Sequence, residues 1–464
     1  MALRDLLLLI IILGSIPLVY YRPWIGILLW YWIGLMNPHR LTWGFMYDFP
    51  VAYLVALITL SGLVIARDRQ SLPFTKEVFL IFALGLWFTV TSYYAWSPDP
   101  AWNYWQQVMR IFLMMLVTPI LVYGRLRIEW LVIIIAGSLA FYGLKGGVFA
   151  LATGGAYHVL GPQRSFIGGN TSLGLAMLMV MPLLLVLARQ ATQGRLYSFP
   201  NTIWTRAAGW GGYATFWLTG AATVFTYSRG ALVGLAAIAP FLFLKMRYKV
   251  LLGTIVVFAV VVVGVTVPDQ LVSRAQTIQT YEEDWSAMQR IQAWGVNWNV
   301  AKDSFTGAGF QMVYMGSDRW LSYANFLGEW PNEARTAHSN YFQILGHHGF
   351  LGLALYVMLL VALFASLLRM SFAAARSKET VWISEYAWAL MVGLIGYAVA
   401  GAFLDLAYFT LFYAFIALTI VLRREYFLSR ASIAEKARQT ARENAGYIVG
   451  DATARLSHTQ VRRV

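Results

Sequence analysis

Apolar runs long enough to cross a lipid bilayer recur from the amino terminus almost to the end of this chain, and few folds accommodate that pattern. They cover roughly residues 6–20, 23–36, 49–66, 78–95, 104–122, 128–148, 171–188, 211–226, 231–244, 250–267, 341–368, 387–403 and 407–422. A spanning helix needs about 20 predominantly apolar residues, and its backbone must satisfy its own hydrogen bonds in lipid. The pattern therefore predicts an all-α polytopic membrane protein with about twelve or thirteen spans. Composition agrees, since only 12% of the 464 residues are charged and mean hydropathy is +0.60. The first two runs are short for a hydrocarbon core, which suits tilt, extension or a partly interfacial position. Pro23 and further apolar sequence follow the opening run without a small-residue cleavage site, so it reads as a retained membrane segment.

A net charge of +14 would point to nucleic acid in a soluble chain. Here Lys and Arg crowd the short links and the tail, so membrane lipids are the expected partner and no nucleic acid is. Cysteine is absent, which removes disulfides, thiolate nucleophiles and Cys-ligated metals together. With spans alternating from residue 49 onward, five basic links fall on one side: Arg67, Arg69 and Lys76; Arg125 and Arg127; Arg189, Arg195 and Arg206; Lys245, Arg247 and Lys249; Arg369, Arg376 and Lys378. By the positive-inside rule they mark the cytosol. The opposite side receives residues 97–100, 149–170, the Ser228–Arg229 turn, 268–338 and Asp405.

This divides the chain into N-terminal transmembrane helices (1–150), spans carrying candidate arginines (151–267), one long external loop (268–338), C-terminal spans (339–422) and a basic cytosolic tail (423–464). The loop sets Glu282, Glu283, Asp284, Asp303, Asp318, Glu329 and Glu333 beside Trp285, Trp294, Trp298, Trp320 and Trp330, a mixture suited to partly ordered helices over the bundle. Its tryptophans fit either an interfacial belt or a surface that stacks on sugar rings. The tail, with helical stretches such as 431–445, is expected to lie on the cytosolic leaflet or to be disordered.

Three external elements present an arginine against the membrane: Arg164 in the segment 161–170, Arg229 in Tyr227-Ser228-Arg229-Gly230, and Arg290. A guanidinium stays charged and offers a rigid fork of donors, which matches a phosphate or diphosphate better than a mobile ammonium. Arg229, at the start of an apolar run, is the sharpest candidate, with a snorkelling interfacial charge as its structural alternative. For Arg164 and Arg290 the alternatives are a solvated loop charge or an ion pair. Arg110 and Lys145 fall within nominal spans; Arg110 is a weaker candidate for an outer cavity, and Lys145 is placed near the interface. Histidine exchanges protons near neutral pH, so His338 can accept one from an incoming hydroxyl. Ser339 and Asn340 read as caps of the helix that follows. His347 and His348 give no compact zinc spacing, so neither metal nor cofactor is expected. Gly307-Ala308-Gly309-Phe310 lacks the setting of a phosphate-binding loop and reads as a turn that folds the external element back toward the bundle.

Three patterns make the chain resemble the O-antigen ligase and polymerase superfamily, membrane glycosyltransferases that use polyprenyl-linked glycans. They are Arg164 followed by Gly169-Asn170, Tyr227-Ser228-Arg229-Gly230-Ala231, and His338-Ser339, nine residues, then Gly349-x-x-Gly352. The resemblance covers roughly residues 70–422 and is closest between 160 and 355; the histidine-serine pattern is similar to the ligase branch. The aromatic-rich first 150 residues also look like proteins labelled O-glycosylation ligases. The resemblance implies a bundle of typically twelve spans, so that thirteen runs would mean one N-terminal element split in two. It implies a multi-pass protein of the bacterial inner membrane, with a periplasmic loop covering a cavity open to the outer leaflet. Transfer would run from undecaprenyl diphosphate to a lipid A-core hydroxyl, inverting and without metal. His338 and Arg229 would be catalytic, and Arg164, Arg229, Arg290, Asn170 and Ser339 would bind substrate. O-antigen polymerisation, transfer to protein, and transport of an anionic lipid or glycan remain open alternatives.

Overall fold

The computed structural model describes residues 3–246 and 285–460, with side chains as far as 439. The predicted span at 250–267, Arg247, Lys249, and the start of the external loop with Glu282, Glu283 and Asp284 lie outside the described residues. The amino-terminal part runs through α1 (Leu3–Tyr21), α2 (Trp24–Met36), α3 (Val51–Ile65), α4 (Lys76–Tyr93), α5 (Pro98–Leu121) and α6 (Gly124–Ala152). Then follow α7 (Asn170–Thr192), α8 (Ile203–Val224) and α9 (Arg229–Lys245). The external element holds α10 (Trp285–Asp303) and the short α11 (Ser317–Ser322), and the chain closes with α12 (Asn340–Ala373), α13 (Val381–Ala400) and α14 (Thr410–Gln460).

Punctuation in the sequence sets several of these ends. Pro23 precedes α2 and cannot extend α1, so the two opening runs stay separate helices and are not one element that the sequence splits. Asn37 ends α2 in the left-handed conformation, with φ +52°. Thr75, Thr202 and Ser228 cap α4, α8 and α9 through side-chain oxygens that accept a backbone N–H three residues on.

The chain is an all-α polytopic membrane protein among the described residues. Six helices are long and apolar enough to cross a membrane: Leu3–Tyr21, Lys76–Tyr93, Gly124–Ala152, Asn170–Thr192, Asn340–Arg376 and Val381–Phe403. Two shorter apolar helices, Trp24–Met36 and Val51–Ile65, accompany them. The other described runs fall in α5, α8, α9 and α14, which do not combine that length with that apolarity, so the expected count of about twelve is not reached on these grounds. The tail also departs from expectation, because α14 continues from the bundle to Gln460 as one helix.

α7 lies at the centre of the bundle. It is buried along nearly its whole length and packs against α6, α8, α9 and α13. At the end predicted to face the cytosol, charged links are tied across the bundle. Arg423 pairs with the fully buried Glu77 at 2.8 Å, Arg195 with Glu385 at 2.8 Å, and Arg127 with Asp68 at 2.5 Å. A buried carboxylate is tolerated only when paired, so these contacts fix helix ends as well as neutralise charge.

At the opposite end the external element has its own small core of Ala293, Val296, Val300, Ala308, Met312 and Trp320. Trp320 and Trp330 are buried, and Trp294 stacks on Phe342 at 5.2 Å while its Nε1 donates to the Ala337 carbonyl at 2.8 Å. These three tryptophans therefore hold the element together and are neither belt nor sugar platform; Trp285 and Trp298 remain exposed.

The Gly-x-x-Gly pattern marks a break inside α12. Gly349 has φ +66° and ψ −173°, a conformation that only glycine adopts readily, and a Cβ there would sit 2.2 Å from the Phe305 carbonyl oxygen. The carbonyls that the break releases are caught from outside: Ala308 N–H donates to Gly346 O, Gly309 N–H to His347 O, and Trp87 Nε1 to His348 O, at 2.8–2.9 Å. The turn at 307–310 thus folds the external element onto the bundle. Gly349→Ala is expected to cost about 1–3 kcal/mol in backbone strain alone, with the clash in addition. A melting curve in detergent should show a lowered midpoint; an unchanged one would mean that the break is not required.

Candidate active site

The site is built where the external element meets the start of α12. His338 precedes the helix with φ +46°, one of five left-handed non-glycine residues among the described residues; Arg164 and Tyr227 are two others. Such conformations persist only where surroundings impose them. For His338 the imposing group is Asp405, in the link between α13 and α14. Its Oδ2 lies 3.1 Å from His338 Nδ1. Burial pushes the Asp405 carboxyl up, but the bonds and charge of His338, with Thr336, outweigh it and hold the group below the usual carboxylate range. Asp405 is therefore ionised at neutral pH. An ionised Oδ2 beside Nδ1 favours the tautomer with its proton on Nδ1, which leaves Nε2 with the acceptor lone pair. The His338 side chain is 53% exposed, so that nitrogen is accessible.

His338 and Arg290 line one open cavity of about 270 Å³, together with Ser286, Gln289, Arg335 and Thr336. The turn that carries Arg229 packs against the end of α13 through its neighbour Gly230. Ser228 Oγ accepts from Ala231 N–H at 3.2 Å and starts α9, so Arg229 is the first residue of that helix. Gly230 fits so closely against the end of α13 that a Cβ would lie 3.2 Å from that of Phe403, two residues before Asp405. A guanidinium at a helix amino terminus adds its charge to the positive end of the helix dipole, a favourable place for an anion.

The remaining candidates divide. Asn170 opens α7 and donates through Nδ2 to the Thr226 carbonyl at 2.9 Å, so it ties the Arg229 turn to α7. Arg164 is 70% exposed and lies 3.7 Å from Asp48, which also pairs with Arg40 at 2.7 Å. Ser339 is buried at the helix start but makes no side-chain cap bond, and Asn340 accepts instead from Leu406 N–H at 2.6 Å. The expected capping by Ser339 and Asn340 is thus replaced by a bond that fastens α12 to the Asp405 link. Arg110 is not brought to this cavity. It faces a groove lined by Pro50, Tyr53, Trp105, Gln106, Met109 and Leu113, and donates to its own helix at Gln106 O.

Sequence reasoning assigned no role to Asp405 or Arg335. The signal for Asp405 was present: a lone carboxylate between two apolar runs is costly without a cationic or hydrogen-bonding partner. Arg335 carried none, because arginine is ordinary in a polar loop.

The helical membrane bundle thus sets a histidine–carboxylate pair beside a cavity lined by Arg290 and Arg335. Residues 214–357 match the model of a family described as O-antigen ligase, a match that supports assigning this chain to the O-antigen ligase superfamily and to an enzymatic role in glycan transfer. Residues 3–192 match a family described as Family of unknown function (DUF5935). No curated protein matches the chain. Arg229, Arg290, His338, Gly349 and Gly352 fall inside the ligase match, Arg164 and Asn170 inside the other, and Asp405 outside both.

Proposed function

We propose that this protein transfers a glycan from undecaprenyl diphosphate to a hydroxyl of a lipid A-core acceptor, at the periplasmic face of the inner membrane. The observation that supports this most is the His338–Asp405 pair at 3.1 Å on the wall of a cavity that also takes Arg290. His338 Nε2 accepts the proton of the acceptor hydroxyl as its oxygen attacks the anomeric carbon. The bond from that carbon to the diphosphate oxygen breaks, its electron pair leaves with the diphosphate, and configuration inverts in this single displacement. Asp405 fixes the imidazole tautomer and stabilises the imidazolium that forms. Arg229, with Arg290, compensates the charge that grows on the leaving diphosphate, whereas Arg164 is held at Asp48 and takes no part in this step. A diphosphate is already a competent leaving group, so one base suffices and no carboxylate pair of the glycosidase kind is required.

The test is transfer by purified protein in detergent, with undecaprenyl-diphosphate-linked glycan offered with lipid A-core, with no acceptor, or with acceptor and chelator. Glycosylated lipid A-core that forms equally in chelator is expected. Lengthened donor without acceptor would replace this reading by polymerisation, and no product in any tube would remove lipid A-core from the proposal.

A further inference from the structure

Behind the catalytic cavity lies an enclosed polar pocket of about 30 Å³ that shares Val313, Arg335 and Thr336 with it. Asp405 lines this inner pocket, and its Oδ1 is buried there without a hydrogen-bond partner among the described residues. His347 lines the same pocket from α12, within reach of the Asp405 charge. The volume is that of one or two water-sized groups, so whatever fills it touches both residues.

His347 is the end of a buried chain. Its Nδ1 lies 3.0 Å from the Tyr408 hydroxyl, which lies 2.9 Å from His348 Nε2, and His348 Nδ1 lies 2.6 Å from Thr91 Oγ1. Tyr408 has one proton for two ring nitrogens, so one histidine must donate to it and the other accept from it. The charge of Asp405 sets the direction, because it attracts a donor and repels a lone pair. His348 Nε2–H then donates to Tyr408, Tyr408 donates to His347 Nδ1, and the proton of His347 is left on Nε2, the nitrogen not engaged with Tyr408. The Thr91 hydroxyl, which also reaches the Phe88 carbonyl at 3.1 Å, gives its proton to His348 Nδ1 in this arrangement.

We propose that His347 is a positioning residue for the transfer reaction: oriented by Tyr408, His348 and Thr91, it offers an N–H to the inner pocket that holds the second oxygen of Asp405 in place while the first holds His338. This rests on the His338–Asp405 reading above. Asp405 is faced by His338, Thr336 and Arg335 from the loop before α12, by His347 from α12, by Tyr104 from α5 and by Tyr408 from the turn before α14, and Arg290 of α10 shares the cavity with His338.

Tyr408→Phe keeps the ring and removes the joining hydroxyl. The expected result is a kcat lowered about tenfold with donor KM unchanged. His347→Ala should behave alike, and His347→Gln, which restores an N–H donor, should recover part of the rate. Native kcat in Tyr408→Phe and His347→Ala would overturn the proposal. So would a loss of rate that follows a loss of melting temperature and is not recovered in His347→Gln, which marks a purely structural chain. Asp405→Asn serves as the control: if it transfers at the native rate, the catalytic pair itself has failed, whereas an inactive Asp405→Asn beside a native Tyr408→Phe overturns the role of His347 alone.

Discussion

Replacing His338 by alanine is expected to lower the transfer rate about 10²- to 10⁴-fold, with donor binding retained. His338 Nε2 is the accessible acceptor nitrogen on the cavity wall, and the side chain is half exposed, so its removal leaves no large void and the bundle should melt normally. Asp405→Asn should be nearly as damaging, because an amide oriented with its N–H toward Nδ1 moves the imidazole proton to Nε2 and removes the lone pair. The pair also fixes a pH sign. The folded-state carboxyl of Asp405 is depressed, so its contribution to stability is present above the ordinary aspartate range and is lost only as pH falls through the folded value. The contribution of this pair to the fold should therefore persist down to the ordinary aspartate range. Circular dichroism across pH checks this. A native rate in His338→Ala would sink the assignment of the base.

The second large effect is expected at Arg229. Alanine there should lower kcat/KM about 10²- to 10³-fold, the usual cost of removing a donor aimed at developing charge. Lysine should recover little, since an ammonium keeps the charge but cannot present two parallel N–H groups to a diphosphate. The side chain is exposed, and the close packing of this turn comes from Gly230 and the Ser228 cap, so neither variant should disturb α9. Kinetics with varied donor on Arg229→Ala and Arg229→Lys make the comparison. A near-native lysine variant would show that charge alone suffices, and a near-native alanine variant would place the diphosphate elsewhere.

Much of this protein is written locally. Apolar runs and basic links predict an all-helical membrane protein because lipid leaves the backbone no alternative to internal hydrogen bonds. Pro23, Thr75, Thr202 and Ser228 mark helix ends because caps and prolines act within a few residues. The chemical types at Arg229, Arg290 and His338 are equally readable, since guanidinium and imidazole have few uses at a membrane surface.

The rest depends on which distant segments meet. The tryptophans of the external element look the same in a belt, a sugar platform or a core, and only the stack on Phe342 and the bond to the Ala337 carbonyl show that Trp294 pins the element to the start of α12. Arg110 and Arg290 carry the same guanidinium, yet one faces a groove at α3 and the other the His338 cavity, a difference set by helix packing. Asp405 lies 67 positions after His338, and Tyr408 joins His347 to His348 from the turn before α14. The sequence by itself determined the solvent, the helices and the reactive side chains, because these follow from short-range chemistry. The tertiary structure alone decided which carboxylate serves the histidine and which buried histidine stands behind it, because partners this far apart in the chain are chosen by the fit of packed helices.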